Sequence, residues 1–150
     1  MKEIKNFVVL GAGSMGAQIG ALAAESGFNV IIRDINEDAI NRGKQIINEN
    51  YDRRIQRGRF TKEAKDQALE KISFSTDLKE AVKDADYVIE AVPEIMSLKQ
   101  NVIREASALS PRGTIYATNT SSLSVSEIAK GAKYPDKVVG THYFNPPGTM

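Results

Sequence analysis

The sequence contains no cysteine, which excludes disulfide bonds, cysteine nucleophiles and thiolate metal sites together. It has a single histidine, too few for the clusters that usually bind zinc, so we expect no metal site. The net charge of +1 gives no overall attraction to nucleic acid or to an anionic membrane surface. No apolar run approaches the roughly 20 residues of a membrane-spanning helix. We therefore expect neither nucleic acid nor a membrane as a partner.

The chain has an ordinary composition for a soluble protein, with 26% charged and 41% hydrophobic residues. Its 150 residues are enough for one domain with a sizeable core. The segment from Met1 to Ile4 leads directly into the first predicted strand. We therefore expect no signal peptide and a cytoplasmic location.

A glycine-rich loop follows the apolar run from Phe7 to Leu10 and precedes a helix-like segment. The loop consists of Gly11, Ala12, Gly13, Ser14, Met15 and Gly16. This G-x-G-x-x-G pattern between a strand and a helix is the fingerprint of dinucleotide-binding sites. Gly11 permits the tight turn, Gly13 lets the backbone approach a pyrophosphate, and Gly16 lets the helix pack closely on the strand. The N–H groups at the start of the helix would then face the phosphates.

An aspartate follows the second predicted strand at the distance that a ribose contact requires. Asp34 lies 18 residues beyond Gly16, where a carboxylate can accept a hydrogen bond from the ribose 2′-OH. The same carboxylate would repel a 2′-phosphate, so the sequence predicts NAD as the cofactor rather than NADP. Arg33, beside it, could accommodate that phosphate and keeps NADP open. The structural alternative is a tight turn followed by a helix-capping aspartate.

Strands alternate with helices along the chain, which predicts an α/β fold of the Rossmann type. Strands are predicted at 4–10, 28–33, 72–75, 86–92, 114–118 and 137–141, and helices at 14–26, 76–83, 95–109 and 125–129. Such an order indicates a doubly wound, mainly parallel sheet with right-handed crossovers. A pair of helices is predicted after the second strand, separated near Gly58, and it makes this crossover longer than a minimal one.

The inserted helix pair is locally basic, with seven basic and two acidic residues from Arg42 to Lys62. Charge runs of this kind are usually solvated helix faces. The alternative is a surface that binds an anionic substrate.

Polar residues follow several predicted strands, at the edge of the sheet where ligands bind in such folds. Glu94 follows one of these strands, and Asn119 and Ser121 follow the next. Each has a structural alternative: Glu94 as an acid in the first turn of a helix, and Asn119 and Ser121 as caps of the turn. Lys99, five residues after Glu94, is by itself best interpreted as a solvated helix residue.

His142 follows the last predicted strand. Histidine is the residue type that ordinarily changes charge near neutral pH, and a hydride-transfer enzyme needs a base for the alcohol proton. We therefore interpret His142 as that base. The alternative is a structural histidine.

Four segments together resemble those of the L-3-hydroxyacyl-CoA dehydrogenases. They are the glycine loop, Glu90-Ala91-Val92-Pro93-Glu94 with Lys99, Asn119-Thr120-Ser121-Ser122-Leu123, and His142-Tyr143-Phe144-Asn145-Pro146-Pro147. The resemblance implies NAD-dependent oxidation of a (3S)-3-hydroxyacyl-CoA to the 3-oxoacyl-CoA, as in fatty-acid β-oxidation, or the reverse reduction. It implies that His142 is the catalytic base, that Ser121 contacts substrate and nicotinamide, and that Asn119 is a second polar contact there.

The resemblance also implies binding roles for four further residues. Glu94 and Lys99 match positions that contact NAD, along with the glycine loop and Asp34. Arg57 falls where the family often carries a lysine that contacts CoA, and Asn50 falls where another CoA contact can be a serine. The acyl-CoA thioester is then the partner of the basic helix pair.

Residues 1–150 are expected to form the NAD-binding domain of a longer enzyme. In the family, a glutamate shortly after the histidine orients it, and a helical C-terminal domain closes the cleft and forms a homodimer. Both would lie beyond Met150, so we expect these residues to bind NAD but to turn over acyl-CoA weakly or not at all. Two alternatives stay open: a dehydrogenase of a free 3-hydroxyacid, and a non-catalytic module that senses a dinucleotide.

Overall fold

The computed structural model describes residues 2–150, which form one parallel sheet covered by helices on both faces. The strands are β1 (Asn6–Leu10), β2 (Asn29–Arg33), β3 (Ile72–Ser75), β4 (Tyr87–Glu90), β5 (Ile115–Thr118) and β6 (Val138–Gly140). The helices are α1 (Ser14–Glu25), α2 (Glu37–Gln56), α3 (Lys62–Glu70), α4 (Leu78–Val82), α5 (Met96–Leu109) and α6 (Val125–Ala129). The spatial order is β3-β2-β1-β4-β5-β6 and every pairing is parallel, which confirms the Rossmann-type prediction.

The strand order reverses between β1 and β4, and this position creates the binding crevice. The chain moves outward from β1 to β3, returns to β4 on the other side of β1, and continues outward to β6. Loops that follow β1 and β4 consequently diverge above the carboxyl end of the sheet. In doubly wound folds ligands bind in the crevice between such loops.

Two hydrophobic cores lie on opposite faces of the sheet, as the doubly wound prediction requires. Val9 belongs to the core beneath α1, α2 and α3, whereas its neighbours Val8 and Leu10 belong to the core beneath α4, α5 and α6. Alternate residues of a strand point to opposite faces, so the apolar run of β1 is buried on both sides.

Apolar packing, one buried aromatic residue and one ion pair hold the helix pair after β2 against α1. Asn36 caps α2 by accepting a hydrogen bond from the Ala39 N–H at 2.9 Å. Tyr51 is fully buried, and its hydroxyl donates to the Ala21 carbonyl at 3.2 Å. Arg54 makes a two-point ion pair with Glu25, at 2.6 and 3.2 Å. The predicted insertion is confirmed and is fixed to the core of the domain.

Several element ends differ from the predictions, for local reasons. β4 ends at Glu90 rather than at residue 92, because the Val92 N–H turns back to the Glu90 carboxylate at 3.2 Å. Asp77 caps α4, so this helix begins at Leu78. A 3-10 turn at Pro135–Lys137 shortens the last strand. No helix within residues 2–150 is long and apolar enough to cross a membrane.

Candidate functional site

The glycine loop forms the first side of the crevice, and two of its glycines are required by the fold itself. Gly11 has φ +116°, and a Cβ there would lie 2.8 Å from the Ala91 carbonyl oxygen of the neighbouring loop. A Cβ on Gly16 would lie 1.9 Å from the Gly11 carbonyl oxygen. Gly13 differs, since a Cβ there meets no atom of the described chain within 4 Å. Gly13 thus borders open space above the loop.

The N-terminus of α1 is electrostatically uncompensated. Within residues 2–150, it has neither a side-chain cap nor an acidic residue in its first turn. By contrast, α2 has the Asn36 cap and two acids, Glu37 and Asp38, in its first turn. The partial positive charge of α1 is therefore available to an anion at the glycine loop.

Asp34 closes the far end of this loop. Its Oδ2 accepts a hydrogen bond from the Ala12 N–H at 2.8 Å, and its Oδ1 accepts one from the Ile35 N–H at 2.7 Å. These contacts hold the carboxylate beside the loop, at the end of β2. Arg33 Nε donates to the Thr76 carbonyl at 3.2 Å, so this side chain is anchored to the segment that follows β3.

A pocket of about 310 Å³ above β1, β4, β5 and β6 brings together predicted residues from four loops. Its lining includes Met15, Val92, Glu94, Asn119, Ser121 and His142. His142 Nε2 lies 3.1 Å from Ser121 Oγ. The imidazole also packs on the exposed Phe144 ring, with 4.6 Å between ring centroids. The imidazole of His142 therefore faces the Ser121 hydroxyl in a pocket that also includes Met15 at the start of α1.

Glu94 and Thr120 join the β4 and β5 loops. The Thr120 hydroxyl donates to Glu94 and accepts from the Leu123 N–H at 3.0 Å, while the Ser121 N–H donates to Glu94 at 3.4 Å. Partial burial raises the pKa of Glu94, but the hydrogen bonds from Thr120 and Ser121 outweigh it and hold the pKa below its ordinary value. The interpretation of Glu94 as a first-turn acid is wrong, because α5 begins at Met96 and the carboxylate faces the β5 loop.

Asn119 connects the β5 loop to the loop that follows β6. Its Oδ1 accepts a hydrogen bond from the Tyr143 N–H at 2.8 Å. Since Tyr143 follows His142 directly, Asn119 fixes the segment that carries the imidazole. The β5 loop is thus bonded to the loops on both sides of it, and Ser121 directly follows these two attachments.

Lys99 lies beneath the pocket and not on the solvated face of α5. It is 1% exposed, and its Nζ lies 2.9 Å from both carboxylate oxygens of Glu90 and 3.2 Å from the Val92 carbonyl oxygen. The solvated interpretation is wrong, because α5 turns this position toward the sheet. The contact between Lys99 and NAD that the resemblance implies stays a prediction. The three N–H groups of the ammonium already face three acceptors within the protein, so none is free to donate to a ligand.

A second and larger cleft, of about 710 Å³, lies between α1, the helix pair and the segment after His142. Both predicted CoA contacts, Asn50 and Arg57, line it. Arginines 53, 54 and 59 line it as well, although Arg54 is neutralised by Glu25. Four of the seven basic residues counted in this segment therefore converge on a concave wall, which suits an anionic ligand.

A family model described as "3-hydroxyacyl-CoA dehydrogenase, NAD binding domain" matches residues 6–150. The chain belongs to this family. Its cofactor is NAD, as the description of the matching domain states. The family resemblance read from the four sequence segments is confirmed.

Comparisons with individual proteins support the assignment to the 3-hydroxyacyl-CoA dehydrogenase family. The chain is 38% identical over 138 residues to 3-hydroxybutyryl-CoA dehydrogenase of Clostridioides difficile, covering 92% of the chain and 49% of that protein. It is 35% identical to the mitochondrial hydroxyacyl-coenzyme A dehydrogenase of Rattus norvegicus, covering 95% of the chain and 47% of that protein. The crystal structure of (S)-3-hydroxybutyryl-CoA dehydrogenase PaaH1 from Ralstonia eutropha superposes with a TM-score of 0.94 at 33% identity, over 99% of the chain and 52% of that structure. The chain thus spans about half the length of each of these three relatives.

The residues around the glycine loop fit a bound NAD molecule. The uncompensated start of α1 and the open space at Gly13 suit a pyrophosphate. The anchored Asp34 carboxylate suits a ribose with free hydroxyls and opposes a 2′-phosphate. Arg33 is directed to Thr76. The side chains at the loop therefore favour NAD.

Sequence reasoning missed two residues of the site. Thr120 was passed over between Asn119 and Ser121, although it is the residue that bonds to Glu94. Glu90 belongs to a predicted strand and to a segment that resembles the family, but no role is predicted for it, although it is fully buried and pairs with Lys99. A signal for Glu90 was present, because a carboxylate at the end of the apolar run Tyr87–Glu90 must have a partner when the strand is buried.

Proposed function

We propose that this chain supplies the NAD site, the catalytic base and an acyl-CoA contact for the oxidation of (3S)-3-hydroxyacyl-CoA to 3-oxoacyl-CoA, or for the reverse reduction. The observation that carries the proposal is the 3.1 Å contact between His142 Nε2 and Ser121 Oγ in a pocket also lined by Met15 of the glycine loop. The acid–base pair and the cofactor loop thus share one space. An enzyme that transfers a hydride needs an acid–base pair beside its cofactor, whereas a module that only senses the cofactor does not.

In the proposed reaction, His142 Nε2 takes the proton of the substrate 3-hydroxyl. NAD⁺, when bound, would supply the ring that accepts the hydride leaving C3 of the substrate, so that C3 becomes the 3-oxo carbon. Ser121 Oγ holds the substrate oxygen beside the imidazole, at hydrogen-bond distance from the nitrogen that receives the proton. Asn119 and Glu94 keep the loops that carry these groups in place. In the reverse direction His142 returns the proton to the 3-oxo oxygen.

The basic cleft supports a CoA thioester over a free hydroxyacid, because a small acid would not reach it. Replacing Arg57 with glutamate should weaken the binding of acetoacetyl-CoA about tenfold, since one favourable contact with a phosphate becomes repulsive. R42E is the matched control, as Arg42 lies on α2 but outside the cleft. Calorimetry with acetoacetyl-CoA on the NADH-bound chain measures both. Equal affinities in R57E and R42E would favour the free-acid alternative.

Removing the carboxylate of Asp34 should weaken NADH binding about 10- to 100-fold, the usual effect of a charge-assisted hydrogen bond. The affinity for NADPH should not fall, because the carboxylate also repels the 2′-phosphate. D38A is the control: it removes an equal charge four residues away, in the first turn of α2. Fluorescence titration with both reduced cofactors measures the two effects. An unchanged NADH affinity in D34A would remove Asp34 from the cofactor site.

We also propose that residues 1–150 act as the NAD-binding domain of a longer enzyme and turn over acyl-CoA slowly by themselves. Among residues 2–150 no carboxylate pairs with His142, so nothing described here orients the imidazole from its other nitrogen. The test combines NADH titration with an assay of acetoacetyl-CoA reduction by loss of NADH absorbance. Binding with slow turnover supports the proposal, rapid turnover contradicts it, and indifference to the thioester supports the sensing module. The homodimer and the cytoplasmic location stay predictions.

A further inference from the structure

A buried glycine of α2 lies directly against the glycine loop. A Cβ on Gly43 would lie 2.9 Å from the Ala12 carbonyl oxygen and 3.0 Å from the Ala12 Cβ. A side-chain carbon cannot lie so close to a backbone oxygen unless one of the two segments moves. Gly43 belongs neither to the G-x-G-x-x-G pattern nor to the segments that resemble the family. The absence of a side chain at this position therefore lets α2 touch the loop at Ala12.

The helix is attached to the core of the domain on both sides of Gly43. Ile40 is 2% exposed and Ile47 is 1% exposed, and both share the face of α2 that carries Gly43. Further along the helix, the Tyr51 hydroxyl donates to the Ala21 carbonyl at 3.2 Å. Moving α2 outward to make room for a side chain would loosen these contacts. An added side chain is therefore expected to displace the loop as well as the helix.

Ala12 connects the two parts of the loop region that suit NAD. Its N–H donates to Asp34 Oδ2 at 2.8 Å. Its carbonyl carbon is bonded to Gly13, which borders the open space where a pyrophosphate would approach the backbone. A displacement of Ala12 would therefore shift the backbone at Gly13 and disturb the Asp34 carboxylate together.

We propose that Gly43 is a positioning residue for the cofactor, which lets α2 hold Ala12 and the glycine loop where NAD requires them. Gly43 is buried, and the three atoms nearest to a methyl group at this position all belong to Ala12. A methyl group there cannot touch NAD, so any effect on affinity must pass through the loop. The proposal rests on the binding of NAD at the glycine loop.

The test is G43A, with G131A as the matched control. A Cβ on Gly131 would lie 2.7 Å from the Gln100 carbonyl oxygen, in a contact with α5 on the opposite face of the sheet. Both variants should melt at a lower temperature, because both are overpacked. At a temperature where both are folded, only G43A should bind NADH more weakly, by about tenfold, the scale of one charge-assisted hydrogen bond. Equal NADH affinity in G43A and G131A would overturn the proposal.

Titration with ADP-ribose shows which part of the cofactor is affected. This ligand keeps the pyrophosphate and both riboses of NADH but lacks the nicotinamide. G43A should weaken its binding by the same factor, because the displaced loop faces the phosphates. A loss confined to NADH would overturn the proposal, since it would place the effect at the nicotinamide end. A parent chain that binds neither ligand would contradict the NAD site itself, and the role of Gly43 with it.

A second pair of variants decides the question if G43A does not fold. A12G removes the Ala12 methyl group, so A12G/G43A keeps only the contact with the carbonyl oxygen. The double variant should still bind NADH several-fold more weakly than A12G. Equal affinity in these two chains would overturn the proposal. Failure of the double variant to fold would also overturn it, because Gly43 would then serve the fold alone.

Discussion

Replacing Gly16 with alanine is expected to lower the free energy of unfolding by about 3 kcal/mol or more, the upper range for overpacked sites. The added Cβ would sit 1.9 Å from the Gly11 carbonyl oxygen, and backbone lies on both sides of the contact. Neither group can move without separating the start of α1 from β1. Thermal unfolding followed by circular dichroism should show a melting temperature roughly 10 °C lower.

G13A is the matched control in the same loop. We expect it to weaken NADH binding without lowering the melting temperature. A Cβ at position 13 meets nothing of the described protein within 4 Å, so the melting temperature should stay the same. NADH affinity should nevertheless fall at least tenfold, because the methyl group would occupy the space through which the pyrophosphate approaches the backbone. G13A with full NADH affinity would mean that the phosphates bind elsewhere. G16A with an unchanged melting temperature would mean that α1 is less closely packed than this structure shows.

Replacing His142 with asparagine is expected to slow the reduction of acetoacetyl-CoA by about 10²- to 10⁴-fold, the usual contribution of a general acid–base. The side chain is exposed, and its hydrogen bond is to Ser121, so NADH affinity and melting temperature should be retained. The measurement is single-turnover loss of NADH absorbance, with the protein in excess over acetoacetyl-CoA, so that even slow conversion is resolved.

S121A provides the comparison, since it removes the hydroxyl and leaves the imidazole in place. Its rate should fall less than that of H142N, because the proton acceptor remains. If H142N reduces acetoacetyl-CoA as fast as the parent chain, the proposed role of His142 is refuted.

The parts of the site that follow directly from chain order could be predicted from the sequence. Gly11 and Asp34 each follow a strand, and parallel strands deliver their carboxyl ends to one edge, so their proximity needs no knowledge of packing. Ser121 and His142 also each follow a predicted strand, and the structure places Ser121 Oγ 3.1 Å from His142 Nε2.

The remaining features depend on how a helix is rotated on the sheet. Lys99 reads as a solvated residue until α5 is placed, and only then does it reach the buried Glu90. In the basic cleft, the sequence does not show that Arg54 differs from Arg57. The charge of Arg54 is neutralised by Glu25, which lies on another helix. Such pairings join residues distant in sequence, and helical periodicity does not reveal them.

The attachment of the β5 loop to both neighbouring loops has a consequence for the folding pathway. Its bonds join residues 94 with 120, 119 with 143 and 121 with 142, so each closes a long stretch of chain. These bonds can form only once the carboxyl ends of β4, β5 and β6 lie side by side, so they follow the pairing of those strands. Helical signal should therefore recover early on refolding from denaturant, and the meeting of the serine with the imidazole should be among the last events.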